Sequence, residues 1–519
     1  MDPGNNSVSE RVFEIPELVE LICGFASHEE QCAHLLRVNR HMFLYAGALV
    51  WKHVPGAVYL LRLITRAPCP VPSSITIKLD TSRLEVYAPF IQSLEAHCPL
   101  AEEPWGRSLW RTYPLHTQKL INFPNLRRLT YTNQGEKVEE DQLDYLLPFL
   151  SSSLREIKIT ALDGHLLWQS LSSVSKFLNL VSSQCPELES LHIYPGKPSS
   201  KTGLDKNVRM VTFTDDALVM HQTMGSFRGL LELAISPAVL EPDVLRTVSS
   251  YPYLEALTIR SKAYGGPVYD DYDLDDTAFP ALCSLGLMDL DPHIMRKLCN
   301  FEPLLGGLEH ATIRFGPGFD TAWKFNGDRG DSLFSLLKCC PELEELKFDI
   351  GKSDEGLSIP RLADLFRSRP LRSVNLTALV GLDERTKWPE LFDALPLVEE
   401  FRVPRNGFNY LELRDFATML PRLRFLEISF LTFRPNLARV ARDFEEVPNP
   451  SEIPLRFHFN IDIYRLLKEY KTIARCLHAL WPNVKVKVKP DPHSPTEILA
   501  EQLSRRTNRA LRELRDLSV

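Results

Sequence analysis

Apolar residues recur along the chain in a six-residue pattern, L-x-x-L-x-I, at intervals of about 28 residues. The first apolar residues of eleven such hexads are Leu126, Leu154, Leu188, Leu230, Leu254, Leu282, Leu308, Leu343, Leu371, Val398 and Leu423. In a chain that is 44% hydrophobic, three apolar positions also recur by chance. The hexad alone is therefore weak evidence of a repeat.

Proline strengthens that evidence. A proline stands two residues before the first apolar position in seven of the eleven hexads, although only 38 of 519 residues are proline. These prolines are Pro124, Pro186, Pro252, Pro280, Pro341, Pro396 and Pro421. Proline lacks an N–H and disfavours helical geometry in the residue before it, so it ends a preceding helix. The pattern predicts a strand with its fourth and sixth residues facing inward, followed by a connection that is often helical.

Apolar residues at helical spacing favour helices in the connections at residues 141–150, 331–339 and 359–369. No single unit can bury its apolar face alone, so neighbouring units must stack into a solenoid. The arrangement resembles the irregular leucine-rich repeats of F-box-like proteins, especially the large fungal sets, over roughly residues 120–430. The resemblance implies an α/β fold with parallel strands inside and mostly helices outside.

The flanking segments have their own patterns. We interpret residues 57–119 as a linker with a possible first repeat, made of a strand at 73–80 and a helix at 83–100. Residues 431–490 contain two predicted closing strands, at 453–462 and 482–490, and a helix. Residues 491–519 predict a C-terminal helix, because Ser494, Pro495 and Glu497 form a capping box with proline at the first helical position.

The N-terminal stretch, residues 12–56, has a different pattern and predicts three short helices. The first begins at Pro16 and has Leu18, Leu21, Ile22 and Phe25 at helical spacing. Ser27 and Glu30 form a capping box that starts a second helix. In the third helix, Met42, Tyr45, Ala46 and Leu49 share one face, and the helix runs to Trp51 before Pro55 and Gly56 stop it.

This stretch resembles an F-box in its I-P-E-L, L-I-C-G-F, L-L-R-V-N-R and A-L-V-W-K-H-V segments. The resemblance implies that Ile15, Pro16, Leu18 and Ile22 contact a Skp-type adaptor. It also implies that Leu36, Val38 and Trp51 lie nearer the packing core of this adaptor-binding segment. An amphipathic three-helix cap on a solenoid would present similar apolar faces. The order of elements, an F-box-like segment before leucine-rich units, resembles the layout of substrate receptors in cullin-RING ubiquitin ligases.

The composition, the N-terminal sequence and the cysteine spacing indicate which partners and which cellular compartment to expect. The net charge of −7, with 60 basic and 67 acidic residues, argues against nucleic acid as a partner. The N-terminus lacks the pattern of a secretory signal and no apolar run reaches membrane-spanning length, so we expect an intracellular protein of the cytoplasm, the nucleus or both. Ten scattered cysteines without a C-x-x-C pair indicate reduced thiols and predict no metal site.

No common motif for acyl transfer, metal-dependent hydrolysis or nucleotide binding occurs, so we expect no enzyme activity and no cofactor. An active site assembled from distant repeats is an alternative that motifs do not exclude. The resemblance implies a substrate-recognition subunit of an SCF-type ligase; a repeat scaffold with no ubiquitin role is the second hypothesis. Target binding is expected at outward strand positions. These are Arg128, Lys158, His192, Tyr194, Arg260, Arg314, Glu345, Lys347, Asp349, Arg402 and Glu427.

Overall fold

The structure is a computed structural model. It describes part of the chain, and the helices and strands given below lie within that part. The described residues are 15–25, 34–38, 40–57, 59–60, 63, 82–96, 122–133, 143, 146–161, 169, 171–195, 220–261, 274–290, 292–315, 335–349, 359–377, 388–408, 410–430, 454–460, 470–489 and 497–518. They form two compact units, which are described separately. The first unit is essentially residues 1–260, and the second contains residues 281–519.

The first unit contains a parallel sheet whose strands are neighbours in chain order. Its strands are β1 His53–Val54, β2 Ser93–Glu95, β3 Arg128–Asn133, β4 Glu156–Ala161, β5 Ser190–Ile193, β6 Glu232–Ile235 and β7 Ala256–Arg260. Its α-helices are α1 Pro16–Phe25, α2 Arg40–Val50, α3 Ser82–Tyr87, α4 Leu171–Gln184 and α5 Pro242–Ser249. Short 3-10 helices occupy Ala88–Phe90, Leu147–Phe149 and Pro237–Leu240.

In the second unit, too, the strands are parallel and pair in chain order. Its strands are β8 Ser284–Met288, β9 His310–Arg314, β10 Glu345–Asp349, β11 Ser373–Thr377, β12 Glu400–Phe408, β13 Phe425–Phe430, β14 Arg456–Asn460 and β15 Lys485–Lys489. Its helices are α6 Pro292–Leu298, α7 Glu302–Leu305, α8 Ile359–Phe366, α9 Trp388–Asp393, α10 Tyr410–Met419, α11 Tyr470–Leu480 and α12 Glu497–Ser518.

The hexads account for the core of both units. Leu154, Ile157 and Ile159 occupy the first, fourth and sixth positions of one hexad, and all three side chains are fully buried. The same positions are buried in the hexads that begin at Leu188, Leu230, Leu254, Leu282, Leu308, Leu343, Leu371, Val398 and Leu423. Alternate strand residues therefore face the core, as the period of two requires. The predicted α/β solenoid with parallel strands is confirmed.

The repeated prolines lie where helices give way to strands. Helix α4 ends at Gln184, and Pro186 lies in the turn that leads to β5. The same turn precedes β7 and β13, at Pro252 and Pro421. Proline therefore stands at the same place in these repeats, between the end of a helix and the start of the next strand.

Some predicted elements differ from the observed ones. The helix expected at residues 83–100 is limited to α3 and a 3-10 turn, and β2 follows because Ile91 and Leu94 are buried at hexad positions. Its sixth position is Ala96, which made this hexad hard to recognise. Residues 147–149 form a 3-10 helix because Pro148 lies inside them. The strand expected at 73–80 and the capping box at Ser27 lie outside the described residues.

The C-terminal predictions agree with the observed elements. Strands β14 and β15 lie where two closing strands were expected, with α11 between them, and α12 follows. Polar side chains of α12 bind the last strand: Asn508 accepts from the Val486 N–H at 2.9 Å, and Ser504 accepts from the Val488 N–H at 2.8 Å. Helix α12 therefore covers the free edge of β15. No helix among the described residues is long and apolar enough to cross a membrane.

Candidate functional site

The N-terminal helices share a small core of their own. Val19 and Cys23 of α1 and Met42 and Ala46 of α2 are buried together. Partly buried side chains pack around them, namely Ile22, Leu35, Leu36 and Tyr45. Ile22 and Leu36 thus help to hold the helices together. Leu36 was expected near this core, whereas Ile22 was expected to contact the adaptor.

Helix α2 also packs against the first strand-bearing repeat. The Trp51 and Tyr87 ring centroids are 4.7 Å apart, and Phe43 lies 5.7 Å from Tyr87 and 6.0 Å from Phe90. A Cβ on Gly47 would come within 3.0 Å of the Phe90 ring, so glycine permits this close approach. Strand β1 follows α2 directly and pairs with β2. The helices are therefore an integral part of the solenoid edge, and Trp51 packs against the first repeat.

A second set of N-terminal side chains remains exposed. Leu18 is 37% exposed and Leu21 is 56% exposed, although both are large and apolar. Of the twelve exposed large apolar side chains among the described residues, six lie in residues 12–56: Ile15, Leu18, Leu21, Val38, Leu44 and Leu49. Val38 was expected near the packing core, but it is 51% exposed, whereas Leu35 and Leu36 pack against that core. Pro16 begins α1.

The outward strand positions of the first unit carry a cross-strand charge network. Glu156 lies between Lys158, at 2.8 Å, and Arg128, at 4.0 Å. Further along the sheet, His192 Nε2 is 2.9 Å from Glu232 Oε1. The Ser190 hydroxyl donates to the other Glu232 oxygen at 2.7 Å. These side chains are partly exposed and already paired with each other, so an incoming ligand meets charges of both signs.

The Glu232 carboxylate has a clearly perturbed acidity. Hydrogen bonding to His192, with a further contribution from Ser190, lowers the pKa of Glu232 to about 2 against the opposing effect of partial burial. Interactions with the charged form favour ionisation, so this carboxylate is fully ionised at neutral pH. It serves as an anchor for His192 and is a poor candidate for a general acid.

One predicted surface residue of this unit is buried. Tyr194 is only 5% exposed and packs against Ala234 of the adjacent strand β6. Burial raises the pKa of its hydroxyl. The small alanine leaves space for the tyrosine ring on the outward face of the sheet. Tyr194 is therefore buried although its side chain points outward. Arg260, at the end of β7, remains half-buried nearby.

In the second unit, two predicted residues are used for packing or pairing. Arg314 binds Asp289 through both carboxylate oxygens, with an Nε–Oδ1 distance of 3.1 Å. Glu427 is only 7% exposed, and strand register places it between Arg402 and His458. An accessible carboxylate was expected at position 427, so this expectation is wrong. The neighbouring Phe425 ring explains its burial: Arg402 lies over that ring and His458 packs against its edge.

The remaining predicted residues of the second unit are more accessible. Lys347 and Glu345 are exposed, and Asp349 is partly exposed. Arg402 is held 2.7 Å from Glu400 and 4.4 Å above the Phe425 ring. Such a held guanidinium loses little conformational freedom when it binds a partner. Lys347 is thus an exposed cation on this face, and Arg402 a partly exposed one.

A row of charges at one edge of the second sheet had no counterpart in the sequence-based predictions. We call it the edge row; it consists of the residue directly after the first apolar residue of each hexad: Cys283, Glu309, Glu344, Arg372, Glu399 and Arg424. Each member's N–H binds the carbonyl of the previous one at 2.7–2.9 Å. Arg372 lies 3.4 Å from both Glu344 and Glu399, and Glu399 lies 3.6 Å from Arg424. Aligning the hexads would have revealed this alternation.

Among the described residues, the thiols and cavities favour no catalytic arrangement. Burial raises the pKa of Cys185 and Cys476 to about 11 and that of Cys340 to about 12, so these thiols stay protonated and are weak nucleophiles. A cavity of about 390 Å³ is lined by Arg424, Arg456 and Lys485 without a carboxylate. Another, of about 400 Å³, contains Thr247, whose hydroxyl donates to a carbonyl of its own helix.

No protein-family model and no curated protein sequence matches the chain. Among solved structures, it is similar to the leucine-rich repeat-containing protein LegL7 from Legionella pneumophila, at 10% identity and a TM-score of 0.31, over 80% of this chain and 97% of that one. It is also similar to a chain of the TLR13–ssRNA13 complex, at 12% identity and a TM-score of 0.29, over 81% of this chain and 58% of that one.

Both TM-scores lie below 0.5, so the assignment of the fold depends on the chain's own strands, register and buried hexads. On that basis the chain is an α/β solenoid of the leucine-rich-repeat type. Repeats of this kind display their outward residues over an extended surface, an architecture suited to binding other macromolecules.

Proposed function

We propose that this protein is a non-catalytic substrate-recognition subunit of an SCF-type cullin-RING ubiquitin ligase. In this role the N-terminal helices dock a Skp-type adaptor, and the repeats hold a protein target. The observation that carries the proposal is the concentration of exposed large apolar side chains in residues 12–56, which hold six of the twelve found among the described residues.

That concentration favours docking over simple capping. A cap shields the apolar edge of a solenoid and presents a polar outer face to solvent. Helix α2 already shields the edge through Phe43 and Trp51, which contact Tyr87 and Phe90. The exposed side chains are additional to this contact, and exposed apolar clusters commonly mark interaction sites.

The proposed docking surface consists of Ile15, directly before α1, Leu18 and Leu21 of α1, and Val38. Pro16 starts the helix that presents them, and proline is well suited to the first helical position. Ile22, Leu36 and Trp51 act behind this surface by fixing the helices to each other and to the first repeat.

The repeats would supply target binding through the outward strand residues that stay accessible. In the first unit these include Arg128 and Lys158, with the mostly buried His192 beside them; in the second they include Lys347 and Arg402. Mixed charge with nearby aromatic rings suits a protein target. Ubiquitin transfer would require no chemistry from this chain, because holding a target beside a conjugating enzyme raises its effective concentration.

The test is binding of the full chain to a purified Skp adaptor, compared with a Leu18→Asp, Leu21→Asp double variant. Both side chains are exposed, so the charges should block docking without disturbing the helix core. The matched control is Tyr253→Asp, Ile498→Asp, which alters two exposed apolar side chains outside the N-terminal segment. We expect adaptor binding by the intact chain and the control, and its loss in the double variant.

The alternative is a repeat scaffold with no ubiquitin role, and the packing of α2 on the first repeat is the observation that favours it. Deleting residues 1–56 would not separate the two functions, since it removes β1 and uncovers Tyr87 and Phe90 in either case. If the folded intact chain does not bind the adaptor, the scaffold function replaces the ligase function.

A further inference from the structure

The alternating charges of the edge row stop at Glu309. From Glu344 to Arg424 each carboxylate has an arginine beside it, whereas the neighbours of Glu309 in the row are Cys283 and Glu344. Within the described part of the chain, no lysine or arginine lies within 4.0 Å of the Glu309 carboxylate. Adjacent carboxylates on neighbouring strands repel each other, so this end of the row carries uncompensated negative charge.

Metal-ligand atoms meet at the same point. One atom from each of Cys283, Glu309 and His310 lies within 4.8 Å of the others. Their backbones are fixed, because the Cys283 carbonyl accepts the N–H groups of both Glu309 and His310 at 2.9 Å. The Glu345 carboxylate lies 3.8 Å from His310 Nε2 and adds further negative charge. The site combines a thiol, an imidazole and a carboxylate at the starts of the first two strands of the second unit.

This donor set matches the preferences of Zn²⁺. Zinc binds cysteine sulfur, histidine nitrogen and carboxylate oxygen at about 2.0–2.3 Å in tetrahedral geometry. Ligand atoms around such an ion lie about 3.3–3.8 Å apart, so three atoms within 4.8 Å need only small side-chain movements to close on it. Hard cations such as Mg²⁺ prefer oxygen ligands alone, so the thiol and imidazole disfavour them.

We propose that Cys283, Glu309 and His310 bind one Zn²⁺ ion, which completes the charge compensation of the edge row and cross-links β8 to β9. The partly exposed position leaves a fourth coordination place open to water or to a ligand atom from a partner. The sequence predicted no metal site because the cysteine and histidine are a whole repeat apart, and only parallel strand pairing brings them together.

The test uses the full chain after removal of metal with a chelator. Co²⁺ serves as the spectroscopic probe, because thiolate ligation gives a charge-transfer band and tetrahedral geometry gives intense visible bands. Zn²⁺ affinity is then measured by competition with a chromophoric chelator. We expect one equivalent of Co²⁺ to produce the thiolate band and one equivalent of Zn²⁺ to displace it. Zinc should also raise the thermal unfolding midpoint, since it binds the folded site.

Variants assign the ligands. Cys283→Ser should abolish the charge-transfer band, and His310→Gln should weaken Zn²⁺ affinity by about 100-fold or more, beyond the typical effect of losing an outer partner. Glu309→Gln removes the third proposed ligand. Because Glu309 is more exposed than the other two, this variant should stay folded while its Zn²⁺ affinity is measured. The matched control is Cys339→Ser, another partly exposed cysteine of the second unit, which should bind as the intact chain does.

The proposal is overturned if the intact, folded chain binds no stoichiometric metal. It is equally overturned if the cobalt band survives Cys283→Ser or disappears in Cys339→Ser. Adaptor binding does not enter any of these readouts, so the zinc site and the proposed ligase function succeed or fail separately.

Discussion

His192 Nε2 lies 2.9 Å from Glu232 Oε1, across the adjacent strands β5 and β6. Hydrogen bonding to His192 lowers the pKa of Glu232 from its ordinary 4.5 to about 2. A carboxyl group whose pKa is lower in the folded protein stabilises the fold above its unfolded-state pKa. That contribution is lost as the pH falls from about 4.5 toward about 2.

Replacing Glu232 with glutamine should therefore destabilise the protein in a pH-dependent way. The side chain is 43% exposed, so solvent screening limits the loss at pH 7 to about 1 kcal/mol or less. In urea unfolding experiments from pH 7 to pH 3, the free energies of unfolding of the intact protein and the Glu232→Gln variant should converge below pH 4.5. Ser190→Ala removes one hydrogen bond to the carboxylate and should give a smaller loss. A difference that stays constant down to pH 3 would contradict this assignment.

Two arginines of the second unit should differ strongly in their effect on stability. Arg314 makes two hydrogen bonds to Asp289, whose side chain is only 12% exposed, so Arg314→Ala should cost about 2–3 kcal/mol. Arg372 pairs with two carboxylates but is 52% exposed, so Arg372→Ala should cost less than about 1 kcal/mol.

Chemical unfolding of both arginine variants, repeated in high salt, measures the contrast. Salt should reduce the effect of Arg372→Ala and leave most of the effect of Arg314→Ala, because screening acts mainly on exposed charges. Equal losses would mean that the number of ion pairs matters more than their burial. This stability measurement also matters for binding experiments. If an Arg314 variant binds a target more weakly, its loss of stability must first be taken into account.

Much of the fold could be predicted from the sequence because its signals are local. A buried hexad and the proline before it lie within eight residues, so pattern alone placed strands β3 to β13. Strand β1 has only two residues, and β2 ends in Ala96 where other hexads have a large apolar side chain. Signals this short or this weak cannot be separated from chance, and both strands were missed.

The candidate sites were less predictable because they depend on which side chains meet across strands. Outward positions were identified correctly, but Tyr194 is buried because its neighbour is the small Ala234. Glu427 is buried beside the ring of Phe425 and two basic side chains. Such contacts need the strand register, which a single sequence does not contain. Leu21 shows the opposite case, since its helical spacing was recognised but its exposure was not.

The aromatic core of the second unit should be the most sensitive to truncation. Phe416 is fully buried, and its ring lies 4.5 Å from Phe392, 5.0 Å from Phe408 and 5.6 Å from Phe401. Phe416→Ala removes these contacts and leaves a cavity, so it should lower the free energy of unfolding by about 3–5 kcal/mol. Ile498→Ala, at a side chain that is 71% exposed, should change it by less than about 0.5 kcal/mol. Urea titration followed by circular dichroism compares the two.

The contact between Trp51 and Tyr87 should couple the N-terminal helices to the first repeat. Their ring centroids are 4.7 Å apart, and they belong to segments on either side of β1. A double-mutant cycle with Trp51→Ala, Tyr87→Ala and the double variant should give a coupling free energy of about 0.5–1.5 kcal/mol, as expected for an aromatic pair. Hydrogen exchange of the backbone amides in α1 and α2 measures how far each substitution reduces the local stability of these helices. Because Trp51 acts behind the proposed docking surface, Trp51→Ala should weaken adaptor binding only as far as it loosens these helices. Additive losses in the cycle, or abolished binding with unchanged exchange protection, would instead make Trp51 a direct contact.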